Sequence, residues 1–121
     1  MYVNLASVTG YHVVIRDQEG TDSGGGVFAT GTSTQLEFYN SSFIRLVAAY
    51  SGGGIHMEQS VKVHLVGCEF VACMSWYSGA LHVDTKSVVL INATRFNGNG
   101  AGSKGGVAMI SDEGEVREVR E

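Results

Sequence analysis

The stretch SGGGIHMEQSVKVHLVGCEF, residues 51–70, runs from three glycines through alternating apolar residues to a phenylalanine. Nearly the same order precedes it in SGGGVFATGTSTQLEFYNSSF, residues 23–43, and follows it in SGALHVDTKSVVLINATRF, residues 78–96. The small-residue pairs Gly25-Gly26, Gly53-Gly54, Gly79-Ala80 and Gly105-Gly106 recur at steps of 28, 26 and 26 residues. The closing Phe43, Phe70 and Phe96 recur at steps of 27 and 26. One extra residue between Val27 and Leu36 brings the copies into a single alignment. A period in this range marks a repeat architecture, to be read before any single element.

Within each copy the apolar residues alternate. Val27 and Ala29 match Ile55 and Met57, Leu81 and Val83, then Val107 and Met109. Leu36 and Phe38 likewise match Val63 and Leu65, then Val89 and Ile91. Period two is the strand signature, and no helical stripe competes with it. The chain has no proline, so every backbone N–H can join a ladder. Short strands cannot bury an inner face alone, but stacked copies make a continuous core.

These features predict an all-β fold: a parallel β-helix, or β-solenoid, of about four coils with a period of 26–28 residues. The rule for parallel crossovers makes it right-handed. Residues 1–121 form one domain: an imperfect first coil over 1–22, regular coils over 23–110, and a charged tail or cap over 111–121. In the first segment Val3 and Leu5, Val8, then Val13 and Ile15 alternate without a leading glycine pair. The glycines at Gly25, Gly26, Gly53, Gly54, Gly79, Gly105 and Gly106 are assigned to sharp coil corners, where positive φ or a close neighbouring backbone excludes a side chain. Phe43, Phe70 and Phe96 are assigned to one buried stack.

The glycine-glycine-aliphatic opening, with Phe96-Asn97-Gly98-Asn99 at the close of the third copy, resembles the GGAI and FxxN repeats of the polymorphic outer-membrane protein family. The resemblance spans residues 23–110. The first two copies depart from it, because Phe43 and Phe70 are followed by Ile44-Arg45-Leu46 and Val71-Ala72-Cys73 without the asparagine. It implies a surface-displayed passenger or adhesive stalk, with no catalytic residue attached to the motif.

Composition narrows the function. The formal charge is −4 and there is no basic cluster, which argues against a nucleic-acid partner. No apolar run approaches the roughly 20 residues that span a bilayer, so no transmembrane segment is expected. Asn40-Ser41-Ser42 and Asn92-Ala93-Thr94 are N-x-[ST] sequons, both assigned to one outward turn just ahead of Phe43 and Phe96. The alternative is that asparagine is simply a good turn former. Cys68 and Cys73 are either two buried thiols or, if the chain bends across Phe70, a local disulfide.

Three further groupings were weighed. His56 and His82 share a column with Phe28 and Ala108, but no third or fourth ligand completes a metal site there. Glu58 and Asp84 stack beside Thr30 at the spacing of a glycosidase carboxylate pair, although acidic residues in a turn are far commoner. Tyr50, Trp76 and Tyr77 cluster ahead of the glycine corners as a candidate adhesive strip. No cofactor and no enzymatic activity are expected. The expected role is a structural module of an extracellular or cell-surface glycoprotein. Its partner is itself, by end-to-end stacking into a rod or filament, or further coils of a longer chain. An adhesive segment and a carbohydrate-active enzyme are the two rivals.

Overall fold

In the computed structural model, residues 1–102, 108–110 and 115–118 are described, and beyond residue 102 Val116 alone has a described side chain. Every regular element among them is a strand. Coil one contains β1 (Tyr2–Asn4), β2 (Ser7–Tyr11), β3 (Val14–Arg16) and β4 (Glu19–Gly20). Coil two contains β5 (Val27–Thr30), β6 (Gln35–Tyr39), β7 (Ser42–Ile44) and β8 (Val47–Ala48). Coil three contains β9 (Ile55–Glu58), β10 (Lys62–Val66), β11 (Glu69–Val71) and β12 (Met74–Ser75). Coil four contains β13 (Leu81–Val83), β14 (Val88–Asn92), β15 (Arg95–Asn97) and β16 (Gly100–Ala101), and β17 (Ala108–Ile110) and β18 (Glu115–Glu118) continue beyond it.

Each coil gives one strand to each of four parallel sheets. Their orders are β1-β5-β9-β13-β17, β2-β6-β10-β14-β18, β3-β7-β11-β15 and β4-β8-β12-β16. The chain is a β-solenoid of about four turns. Register follows the sequence alignment through coil four: Val63 pairs with Leu36 and Val89, Leu65 with Phe38 and Ile91, and Phe70 with Phe43 and Phe96. Beyond coil four it is corrected by one residue, because Leu81 pairs with Ala108 and His82 with Met109, so Ala108 does not share the His56–His82 column. Val27 pairs with Ile55 and Thr30 with Glu58, so the extra residue of the first copy, in coil two, falls in the turn between β5 and β6. A turn can take an extra residue, whereas a one-residue slip inside a strand would invert its inner and outer faces.

The alternating residues fill the axis. Val27, Ala29, Leu36, Phe38, Ile55, Met57, Val63, Leu65, Leu81, Val83 and Val89 are buried. Phe43 and Phe70 are fully buried and stack face to face, with centroids 4.5 Å apart and planes within 7°. Phe96 continues the column at 5.1 Å but is only half-buried, so the expected stack is buried at two of its three positions.

The two ends of the repeat are detailed by the backbone. Residues 1–22 form a full coil, with Val3 against Ala29, Val8 against Leu36 and Ile15 against Phe43. Leu5, however, does not alternate inward with Val3: it turns the corner after β1 at φ 53° and is exposed. Residues 115–118, within the charged tail or cap, form a strand that extends the β14 ladder from Val88–Glu115 to Ile91–Glu118.

The glycine corners also divide differently from the expectation. Positive φ falls on Gly24 and Gly52, one residue ahead of the pairs, at 68° and 65°. The pairs themselves answer to crowding. A Cβ on Gly53 would strike the Gly79 carbonyl and come within 2.6 Å of the Met74 carbonyl. Gly25, Gly26 and Gly54 face similar neighbours, and Gly105 and Gly106 lie outside the described residues.

Two further corners each turn on a single left-handed residue, the first of them the outward turn that holds the sequons. The corner after the second sheet passes through His12 and Asn40 at φ 54° and 50°, Gly67 at 62° and Ala93 at 49°. The corner after the third sheet uses Asp17, Arg45 and Ala72 at 56°, 49° and 55°, then Gly98 at 66°. One left-handed residue per corner turns the chain without a loop. Side chains as unlike as His12 and Ala93 leave no signal of that geometry.

Candidate functional site

The sequons flank the corner between the second and third sheets. Asn92 closes β14 and shares a column with Val66 and Tyr39, so Asn40 lies one position further along the coil than expected. Asn40 is exposed at the corner itself, whereas Asn92 is half-buried in its strand. Their hydroxyl partners are engaged differently. Ser42 Oγ donates to Glu69 Oε1 at 3.0 Å. Thr94 Oγ1 lies 3.1 Å from the Asn92 carbonyl and accepts the Cys68 N–H at 3.4 Å. Asn40 is the more open acceptor.

Cys68 and Cys73 are free and buried. They occupy the corners at the two ends of β11, and their thiols reach different carbonyls: Cys68 Sγ that of Phe38 at 3.2 Å, and Cys73 Sγ that of Phe43 at 3.4 Å. Of the two readings, the buried thiols hold and the local disulfide is not formed. A three-residue strand holds the two corners apart, and burial pushes both thiols above their ordinary pKa, keeping them protonated.

The corners carry buried hydroxyl groups that the sequence reading passed over. Thr34 Oγ1 accepts from the Leu5 N–H at 2.7 Å, Ser41 Oγ from Val13 at 3.1 Å and Ser87 Oγ from Val61 at 3.1 Å. Each satisfies an amide of the preceding coil where the ladder is interrupted. The signal was available, since Thr34, Ser41, Ser87 and Thr94 immediately precede or follow strands.

On the outer face of the first sheet, Tyr2, Phe28, His56 and His82 form one column. Phe28 lies flat on His56 at 5.0 Å and 3°, and His56 meets His82 at 4.7 Å. Both histidines are buried, at 5% and 6% exposure. The connection into β9 folds over the column: a Cβ on Gly52 would lie 2.9 Å from His56 Cβ, and Ser51 Oγ sits 2.8 Å from His56 Nδ1. Glu58 Oε2 stands 3.4 Å from His56 Nε2, and Asp84 Oδ2 stands 3.9 Å from His82 Nε2. Each carboxylate therefore turns toward its own histidine, and Asp84 Oδ1 also accepts from the Thr85 amide at 2.7 Å. Ser51, His56 and Glu58 lie in the order of a hydrolase triad, but Ser51 is wholly buried and cannot meet a substrate. Among the described residues no three His, Cys, Asp or Glu side chains group closely enough to hold a metal ion.

The aromatic strip is real as a surface feature. Tyr50 and Trp76 are exposed, and Tyr50 meets Tyr77 edge-on at 4.8 Å.

The lower end of the stack is the most distinctive surface. Among the described residues β1 to β4 are the outermost strands of the four sheets, each with a strand on one side only. Leu5 and Val14 are 64% and 58% exposed there, beside the exposed Met1. No helix among the described residues is long and apolar enough to cross a membrane. Comparison with protein-family models, with curated proteins and with solved structures finds no match for this chain.

Proposed function

We propose that this chain is a structural solenoid module of an extracellular or cell-surface glycoprotein, extended end to end into a rod or filament. The observation that supports it is the outer edge of coil one, where, among the described residues, four strands have a partner strand on one side only, around exposed Leu5 and Val14. Unpaired strand edges recruit further strands, and a head-to-tail contact between copies does not close. The GGAI and FxxN resemblance and the two sequons support the surface setting.

Sedimentation and electron microscopy of the 1–121 chain test this reading, with the Leu5→Lys/Val14→Lys double variant beside it. Both side chains are exposed, so lysine blocks the joint without entering the core. Concentration-dependent rods in the native chain, lost in the variant, are the expected result. A native chain that remains a monomer at high concentration would overturn stacking.

A second reading, an adhesive passenger segment, draws on the exposed Tyr50–Trp76 strip, because aromatic faces are common anchors in recognition. Glycan-array binding that disappears in Tyr50→Ser/Trp76→Ser, with assembly unchanged, would favour it over the rod.

A further inference from the structure

Among the described residues, His56 and His82 are the only buried side chains whose ordinary pKa lies between pH 5 and 8. They are also stacked on each other, 4.7 Å between ring centroids, on adjacent coils. We propose that this pair is an acid-sensitive joint: protonating both imidazoles drives the first sheet and its covering connections apart between coils three and four.

The groups facing the pair decide how many protons it holds. Glu58 on β9 lies within 3.4 Å of His56, and Asp84, directly after β13, within 3.9 Å of His82. Asp22, in the connection after β4, adds a more distant negative field on His56. β5 contributes only the uncharged Phe28 ring, and in β17 the register partner of His82 is Met109. Glu58 and Asp84 can each offset one imidazolium, so what opposes double protonation is the loss of hydration at two buried rings held 4.7 Å apart. A second charge would lie one coil spacing from the first, in a site shielded from water, where repulsion is weakly screened.

The direction of titration agrees with this geometry. Burial holds His56 below its ordinary value, against the opposing pull of Glu58. Burial first, and then the neighbouring His56, push His82 down to about 4. An unfolded chain takes up these protons near pH 6.5. The folded chain resists until much lower pH, so this contribution to stability is complete above about 6.5 and is lost as pH falls toward 4.

The fold itself supplies the control substitution. Phe28 already occupies this column and lies flat on His56, so phenylalanine at both histidine positions continues the stack without a titratable nitrogen. Thermal unfolding and amide hydrogen exchange would be followed from about pH 7.5 to 5 on the native chain and on His56→Phe/His82→Phe. The native chain should lose roughly 5 °C or more of Tm over that range. Exchange should rise first in residues 49–58 and 76–84, ahead of the Phe43–Phe70 column. The variant should lose less than half as much Tm and show no early opening. Equal pH profiles in the two proteins would overturn the proposal. Should the variant not fold, NMR titration of the native imidazoles decides: depressed values with local opening support the joint, and two ordinary values near 6.5 in the folded chain overturn it.

Discussion

The side chain of Asn99 bridges two coils: its Oδ1 accepts the Cys73 N–H at 2.9 Å and its Nδ2 donates to the Phe70 carbonyl at 3.0 Å. This gives the asparagine of the Phe96-x-x-Asn99 motif a physical role. At the end of β15 the chain turns, and one amide replaces both a ladder donor and a ladder acceptor. In coil three the matching position is Cys73, whose thiol reaches the Phe43 carbonyl of the preceding coil and the Val71 carbonyl of its own. Asn99→Ala should cost about 1–3 kcal/mol by leaving two part-buried backbone groups unpaired. Asn99→Asp, which keeps an acceptor but loses the donor, should fall between. Urea unfolding midpoints would order the three proteins.

The phenylalanine column should be graded by burial. Phe70 is enclosed between Phe43 and Phe96, and Phe70→Ala should destabilise by about 3–5 kcal/mol. Half-buried Phe96 should cost clearly less when truncated. Equal losses at the two positions, measured by chemical denaturation, would contradict the observed stacking.

Crowding, rather than φ, makes Gly53 necessary. An added Cβ meets backbone atoms of Met74 and Gly79, which cannot swing away. Gly53→Ala should therefore cost about 2–3 kcal/mol. At Gly100 the nearest atom is the flexible Met74 Cε at 3.3 Å, and Gly100→Ala should stay within about 0.5 kcal/mol of the native chain. Melting curves of the pair separate the two cases.

The thiols should be silent until the fold opens. Both are buried and held protonated, so a thiol reagent at neutral pH should label Cys68 and Cys73 only at the rate of unfolding. The sign of the pH effect follows. An unfolded chain ionises these thiols near pH 9 and the folded chain only above it. Their contribution is thus complete below about 9 and lost as pH rises through the folded values. Cys68→Ser/Cys73→Ser should flatten the alkaline limb of a stability profile.

Expression through a eukaryotic secretory pathway would distinguish the sequons. Asn40, exposed at its corner, should be modified more fully than half-buried Asn92. Peptide mapping with and without glycosidase reads the two occupancies directly. Preferential modification of Asn92 would mean that the corner is not presented as described.

What local chemistry repeats, the sequence determined by itself. Alternation of Leu36 with Phe38, Val63 with Leu65 and Val89 with Ile91 fixes strand, face and register, because a one-residue slip would turn each pair outward. The common step of Phe43, Phe70 and Phe96 does the same for the third sheet. The tertiary structure decided what depends on a neighbouring coil. Only stacking shows that Gly53 faces the Met74 and Gly79 backbones, or that the first coil is regular without a glycine pair. His56 and His82 read as outward-facing positions by alternation, yet both are buried, His56 beneath the Ser51–Gly52 connection. A period-two pattern reports which way a side chain leaves its own strand. Whether it meets solvent or another segment is set by how the connection ahead of the strand folds back, as Ser51 does on His56, and by the neighbouring coil, and the alternation encodes neither.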